Sequence, residues 1–336
     1  MPSAPQPAVL LNAHARNVGP QVLKLIEQTL PEAAVFLSYN LSEAQELARK
    51  ILTVPHAPVL LGGGDGTLMG FVEALLNVSK QLNKPLPELG LLRLGTGNAI
   101  ARWAGQTHGG KKALLKTLQY MGKAGEKNYK PLNLIEFGER LAPFAGIGLD
   151  GRVLLDYMRF KERAALKPWK HLAIGMKGYV SSVALKTIPY YFSHPTRIQC
   201  RIENGGAKAY RVYPDGSLGP PLERGALLYE GRATMAAAST IPFYGYGMRM
   251  FPFAERLPHC MHLRIFNCSI PHILLNLRPL WKGTWFPQGV SDFVVEDVML
   301  SCAEAVPCQV GGDAAGECNR IRLRVSPTPI PLMAMG

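Results

Sequence analysis

Four glycines, one carboxylate and one hydroxyl share a single stretch, Gly62-Gly63-Gly64-Asp65-Gly66-Thr67. It follows the apolar run Leu60-Leu61 and leads directly into a helical pattern. A backbone nearly free of Cβ atoms lets its N–H groups approach phosphate oxygens, and the start of a helix adds a favourable dipole. Asp65 at the apex adds a second chemistry. A carboxylate beside phosphates manages a metal ion or a hydroxyl proton. A second loop, Gly95-Thr96-Gly97-Asn98, follows Leu94 and also opens a helix. In a parallel sheet the ends of two strands can lie together, so two such loops can hold one nucleotide. The plain alternative is a pair of tight strand-to-helix turns, for which one or two glycines each would suffice. Neither loop is a P-loop, since no Gly-Lys-Ser/Thr follows, and neither is a Gly-x-Gly-x-x-Gly dinucleotide fingerprint.

The elements that must position these loops are legible in the first third of the chain. Short apolar runs at Ala8–Leu11, Ala34–Ser38, Pro58–Leu61 and Leu89–Leu94 read as strands. Helical spacing at Gln21–Leu30, Ser42–Lys50 and Thr67–Val78, and a further start at Asn98–Ala104, separates them. Ser42 with Gln45 fits a capping box for the second helix. Repeated βα units imply a mostly parallel sheet covered on both faces, with ligands at the carboxyl ends of its strands. After about residue 130 the pattern changes. Leu132–Phe137 and Ala142–Ile147 read as strands, Trp169–Thr187 as a long helix, and Arg197–Val325 as short β runs between Gly and Pro turns. The fold class expected is an α/β nucleotide-binding domain plus an all-β, sandwich-like second domain. The expected division is 1–135 for the first domain and 136–319 for the β-rich second.

Length and composition agree with two domains. The chain has 336 residues, 47% hydrophobic and 18% charged, which excludes disorder and collagen-like structure. Lys plus Arg is 37 and Asp plus Glu is 24, a formal charge of +13 that favours anionic partners. No helix-turn-helix, RNP or zinc pattern supports nucleic acid as that partner. Residues 1–19 lack a signal-peptide pattern and no apolar run is long enough to span a membrane, so a cytoplasmic chain is expected. The six cysteines form no C-x-x-C pair and read as reduced thiols. The eight histidines are scattered and suggest no metal pattern.

The two glycine loops, about thirty residues apart, resemble those of the diacylglycerol kinase catalytic domain family. That family includes bacterial soluble lipid kinases, sphingosine kinases and ceramide kinases. The resemblance extends along most of the chain. Val9–Asn12 matches the family's opening strand and Asn, and Ser38 stands where a nucleotide-contacting Thr is common. Gly146-Ile147-Gly148-Leu149-Asp150 matches its G-x-G-x-D element. Tyr244-Gly245-Tyr246-Gly247-Met248 with Pro252-Phe253-Ala254 resembles its G-G-G-M…P-x-A segment, and Gly312-Asp313-Ala314-Ala315-Gly316-Glu317 its late D-G-E element. The resemblance implies that 136–319 is the lipid-binding domain and that 320–336 returns to the first domain. It implies transfer of the ATP γ-phosphoryl group to a lipid hydroxyl by a chain peripheral on the membrane. It implies Asp313 or Glu317 as proton acceptor and Asp65 near the phosphates and Mg²⁺, as a catalytic and metal residue. It implies nucleotide contacts from Asn12, Ser38, Gly63, Gly64, Asp65, Gly66, Thr67, Gly95, Thr96, Gly97 and Asn98. Asp150 is the candidate on the substrate side, and ATP, a lipid acceptor and an anionic membrane surface are the partners.

This sequence also departs from the family. Ala99, Asn133 and Gly70 stand where acids are common, and Glu255–His259 replaces an acidic turn that binds a structural Mg²⁺ in several bacterial members. Each loss removes charge that would orient Mg²⁺. The alternatives are therefore a weakly active or non-catalytic lipid- or nucleotide-binding member, and, less favoured, a NAD kinase or phosphofructokinase, which share the Gly-Gly-Asp-Gly loop. Two further features bear on membranes. Residues 152–186 carry eight Lys and Arg against Asp156 and Glu162, fitting either a lipid-binding or a solvated helix face. Trp281–Phe286 is aromatic-rich, fitting either interfacial anchoring or packing within a β domain.

Overall fold

The computed structural model describes residues 6–54, 56–95, 97–123, 127–165 and 198–335. The helix expected at Trp169–Thr187 lies outside the described residues, as does Thr96. The chain divides into two compact units. The first comprises Met1–Leu132, Gly245–Gly247 and Thr328–Gly336, and the second Asn133–Tyr244 and Met248–Pro327.

The first unit alternates strands and helices: β1 (Gln6–Asn12), α1 (Pro20–Thr29), β2 (Ala34–Ser38), α2 (Leu41–Thr53), β3 (His56–Gly63), α3 (Asp65–Leu82), β4 (Leu89–Arg93), α4 (Ala99–Trp103), α5 (Lys111–Gly122) and β5 (Asn128–Leu132). Ala8–Leu11, Val59–Leu61 and Leu91–Leu92 are almost wholly buried. Such unbroken apolar runs are what a parallel strand needs when both of its faces are covered. On one face α1 supplies Leu25 and Ile26, and α5 supplies Leu114, Leu118 and Met121, against Val9, Leu11, Leu60 and Leu92. The sequence did not foreshadow α5, because its lysines masked its apolar stripe. The start of α2 is a correction. Its cap is Asn40, whose side chain accepts from the Glu43 N–H at 2.9 Å, while Glu43 reaches back to the Tyr39 N–H at 2.7 Å. Asn40 and Glu43 have capping-box spacing two residues before Ser42 and Gln45.

The second unit is antiparallel. Its elements are β6 (Ile135–Phe137), β7 (Arg140–Ala142), β8 (Phe144–Gly148), α6 (Leu149–Ala165), β9 (Ile198–Asn204), β10 (Ala209–Val212), β11 (Leu218–Pro221), β12 (Leu227–Ala233), β13 (Met235–Ser239), β14 (Met261–Phe266), α7 (Ile270–Leu275), α8 (Leu277–Lys282), β15 (Val290–Val295), β16 (Asp297–Val310) and β17 (Asp313–Val325). Among the described residues these strands form one twelve-stranded network. The long strand β16 pairs with β9 over Val298–Cys302 and with β8 over Cys308–Val310, changing neighbour along its length. Alternate residues such as Ile202, Ala236, Leu263, Phe293, Leu300 and Leu323 form the core. The α/β-plus-β architecture is as the sequence implied, with one local difference. Two short helices, α7 and α8, interrupt the expected β stretch, because Ser269 caps the first and Pro271 and Pro279 suit early helical positions.

A last strand, β18 (Ile330–Ala334), belongs to the first unit and lies between β4 and β5, giving the order β2-β1-β3-β4-β18-β5. The return to this unit begins at Thr328, later than the expected residue 320. The cause is β17, which stays paired to β16 as far as Asp297↔Arg324 and to β6 at Val325↔Ile135. The reading of all cysteines as thiols also changes. Cys308 and Cys318 form a disulfide across the β16–β17 hairpin, with Cα atoms 6.9 Å apart. No helix among the described residues is long and apolar enough to cross a membrane.

Candidate functional site

In the first unit the expected nucleotide residues gather at one edge of the sheet. Asn12 pairs with Ser38 at the ends of β1 and β2, and Gly63 pairs with Arg93 at the ends of β3 and β4. All four strands run parallel, so these are carboxyl ends. Chain order reverses around β1, the switch point where open α/β sheets bind ligands. Asn12 donates from Nδ2 to the Thr67 hydroxyl at 2.8 Å, tying the first strand end to the glycine loop. The Ser38 hydroxyl turns inward to the Asn40 carbonyl at 2.8 Å.

The two glycine loops are locked together by Asp65. Its carboxylate accepts the Ala99 N–H at 2.8 Å and the Ile100 N–H at 3.0 Å, so a residue at the start of α3 caps α4. The Asp65 N–H in turn donates to the Gly97 carbonyl at 3.1 Å. Burial pushes the Asp65 carboxyl above its usual range, opposed by those two amides and by Arg93. Glycine is required where the loops touch. A Cβ on Gly95 would lie 2.1 Å from the Gly64 Cα, which is backbone and cannot step aside. Asn98 donates to the Gly95 carbonyl at 2.7 Å, and its own Oδ1 is buried without a partner. An orphaned acceptor at this edge fits a ligand that brings a donor.

A Mg²⁺ ion built into the protein fits this edge poorly. Among the described residues no three His, Cys, Asp or Glu side chains converge on a possible metal position. Both Asp65 oxygens are already engaged by backbone amides, and Ala99 contributes an N–H where an acid would have contributed charge.

In the second unit Asp150 is enclosed rather than presented on a surface. Its carboxylate accepts from the Gly151 N–H at 2.8 Å, the Gln309 amide at 3.2 Å and the Tyr244 hydroxyl at 3.3 Å. Burial nevertheless pushes its pKa up to about 7. Gln309 has a second task. Its Oε1 accepts the Gly312 N–H at 3.1 Å, which fixes its amide orientation and points Nε2 at Asp150. Gly311 and Gly312, both at positive φ, make the two-residue turn of the β16–β17 hairpin, and Asp313 follows immediately, paired with Val310. Asp313 is 69% exposed and lies 3.6 Å from Arg140. Glu317 lies farther down β17, exposed and opposite Pro307. Sequence reasoning missed Gln309. Its one signal was a polar residue between Cys308 and Val310 in an apolar run.

Glycine loops at the carboxyl edge of a parallel sheet, in a chain that also carries an antiparallel β unit, define a class of α/β-plus-β fold. Residues 6–124 match the diacylglycerol kinase catalytic domain. Diacylglycerol kinase 1 of Arabidopsis thaliana is 29% identical over 166 residues, 45% of this chain and 20% of that protein. A probable lipid kinase, YegS-like, of Pseudomonas fluorescens is 41% identical over 71 residues, 21% of this chain and 22% of that protein. The matches therefore span about a fifth of each relative's length. A crystal structure of a diacylglycerol kinase from Bacillus anthracis superposes with a TM-score of 0.63 over 98% of this chain and 97% of the other. At 11% identity that likeness speaks for the fold alone. The family model that matches residues 6–124 is the one whose glycine loops this sequence resembles.

Proposed function

We propose that this protein is a lipid kinase that transfers the γ-phosphoryl group of ATP to the hydroxyl of a lipid such as a diacylglycerol or a sphingoid base. The observation that carries this reading is the pair of glycine loops, joined by Asp65 at the carboxyl edge of a parallel sheet within the family-matching segment. Gly63, Gly64, Gly66, Thr67, Gly95, Thr96 and Gly97 are assigned to the nucleotide, with Asn12, Ser38 and Asn98 supporting them. In the transfer the lipid oxygen bonds to Pγ, the bond from Pγ to the β–γ bridging oxygen breaks, ADP leaves, and the hydroxyl proton passes to a carboxylate. We assign that carboxylate to Asp313, because it follows a turn held by Gln309, whereas Glu317 has no such support. Asp65 is assigned to holding the two loops in register. Mg²⁺ would come with the nucleotide rather than from a protein-built site, and no step is derived through it.

The test is incubation of the purified chain with labelled ATP and a panel of lipids, with NAD and fructose 6-phosphate alongside. Label in a lipid is expected, and Asp313→Ala should reduce it by at least about a hundredfold, the usual range for a proton-transfer group. An Asp313→Ala, Glu317→Ala double variant with wild-type turnover would sink the assignment. A second reading, a non-catalytic nucleotide- or lipid-binding member, is favoured by Ala99, Asn133 and Gly70 and by the capping role of Asp65. It predicts calorimetric nucleotide binding with no label in any lipid.

A further inference from the structure

Helices α7 and α8 form a corner whose two sides differ sharply. Ile273 and Leu280 point inward and pack with Phe251, Phe266 and Trp285, and Ile270 is buried as well. On the outer side Leu275 is 86% exposed, and Leu277 and Trp281 are each 43% exposed. Leu277 and Trp281 are four residues apart on α8, so they share a face. Arg278 and Lys282 have the same spacing, are both exposed, and form a cationic row beside the apolar one. No Asp or Glu occurs from Arg256 to Ser291, so nothing acidic in this segment offsets those charges.

The corner is a built feature. Ser269 caps α7, and the Asn276 side chain donates to the His272 carbonyl at 2.8 Å at the junction. Gly283 ends α8 at positive φ, where a Cβ would meet the Arg249 carbonyl oxygen at 2.7 Å. The backbone is therefore fixed in a form that holds Leu275 out in solvent. Two exposed leucines, a half-exposed tryptophan and two cations in a segment free of acids have the chemistry of an interfacial anchor: apolar groups for the acyl boundary, an indole for the headgroup level, and positive charge for anionic headgroups.

We propose that the α7–α8 corner is a docking surface for an anionic lipid bilayer, entered by Leu275, Leu277 and Trp281 and held by Arg278 and Lys282. The inference goes beyond the kinase reading and does not need it. The test is flotation of the full chain with phosphatidylcholine vesicles, with and without phosphatidylserine, in the absence of ATP and of any acceptor lipid. Wild type is expected to float with the anionic vesicles, less so at high salt, and not with the neutral ones. Arg278→Glu, Lys282→Glu should weaken binding at least about twenty-fivefold, since each basic residue near such a surface contributes about fivefold. Leu275→Asp and, separately, the milder Leu275→Ser should each lose vesicle binding while the thermal midpoint stays at the wild-type value. The proposal is overturned if wild type fails to float, or if folded variants float as wild type does. It is also overturned if size-exclusion chromatography shows a dimer that Leu275→Ser dissolves, because the patch would then face a second copy of the chain.

Discussion

At the residue scale the informative group is Asp150. It accepts three hydrogen bonds, each favouring the carboxylate, yet its pKa rises to about 7 because complete burial outweighs them. The consequence for stability has a definite sign. The native state holds this proton more tightly than the unfolded chain, whose aspartates titrate near 4. Below that value both states are protonated and the contribution is fully present. As pH rises from about 4 to about 7 the unfolded state ionises first, and stability falls; above about 7 the loss is complete. Thermal midpoints of wild type and Asp150→Asn measured across that range should therefore differ in slope, with the asparagine variant losing less. Parallel profiles would mean that Asp150 is ionised in the native protein well below pH 7. Asp65 is the contrast. It is also buried and also raised, but two backbone amides and Arg93 oppose the rise, and its geometry is that of a helix cap.

At the scale of elements the β16–β17 hairpin ties the second unit's buried chemistry to its exposed carboxylate. Asp150 holds Gln309, Gln309 holds the Gly312 N–H, and that turn delivers Asp313. Gln309→Leu keeps the volume but removes a hydrogen bond from the buried Asp150 carboxylate, a loss of about 1–3 kcal/mol, and frees the Gly312 N–H from its side-chain partner. If Asp313 is the proton acceptor, this variant should lower kcat about tenfold or more, as a misplaced catalytic group does, with little change in KM for ATP. An unchanged kcat would separate Gln309 from the chemistry and leave it a purely structural residue. The hairpin also shows what the sequence could and could not reveal. The glycine loops and parallel strands were legible because apolar runs, glycines and helix starts are local signals. The Asn40 cap was missed through a competing Ser42 two residues away, and α5 through lysines covering its apolar stripe. Helices α7 and α8 were missed because each is only six residues, too short for periodicity to separate a helix from a buried β run. The Asp65 cap on α4 and the Gln309 bridge span 34 and 159 residues, and no pattern within one element can announce such partners.

At the scale of the whole molecule, one topological fact governs how the chain is held together. It leaves the first unit after Leu132 and completes that unit's sheet only with β18, at the far end of the sequence. β18 is interior to the sheet. Leu332 registers with Leu89 of β4 on one side, and Ile330–Ala334 pairs with Asn128–Leu132 of β5 on the other. Ile330, Leu332 and Met333 are wholly buried, and at about 2 kcal/mol each their removal costs roughly 6 kcal/mol before any strand hydrogen bonds are counted. That is comparable to the entire stability of a typical domain. A chain ending at Pro327 should therefore lose the first unit selectively. Hydrogen exchange should show β1, β3 and β4 unprotected while β13 to β17 keep their protection, and calorimetric nucleotide binding should vanish although the glycine loops, more than 200 residues away in sequence, are intact. Retained protection in β3 and β4 would show that the four strands β2-β1-β3-β4 close a sufficient core without the returning strand, and that the second unit's insertion between β5 and β18 carries no folding penalty for the first.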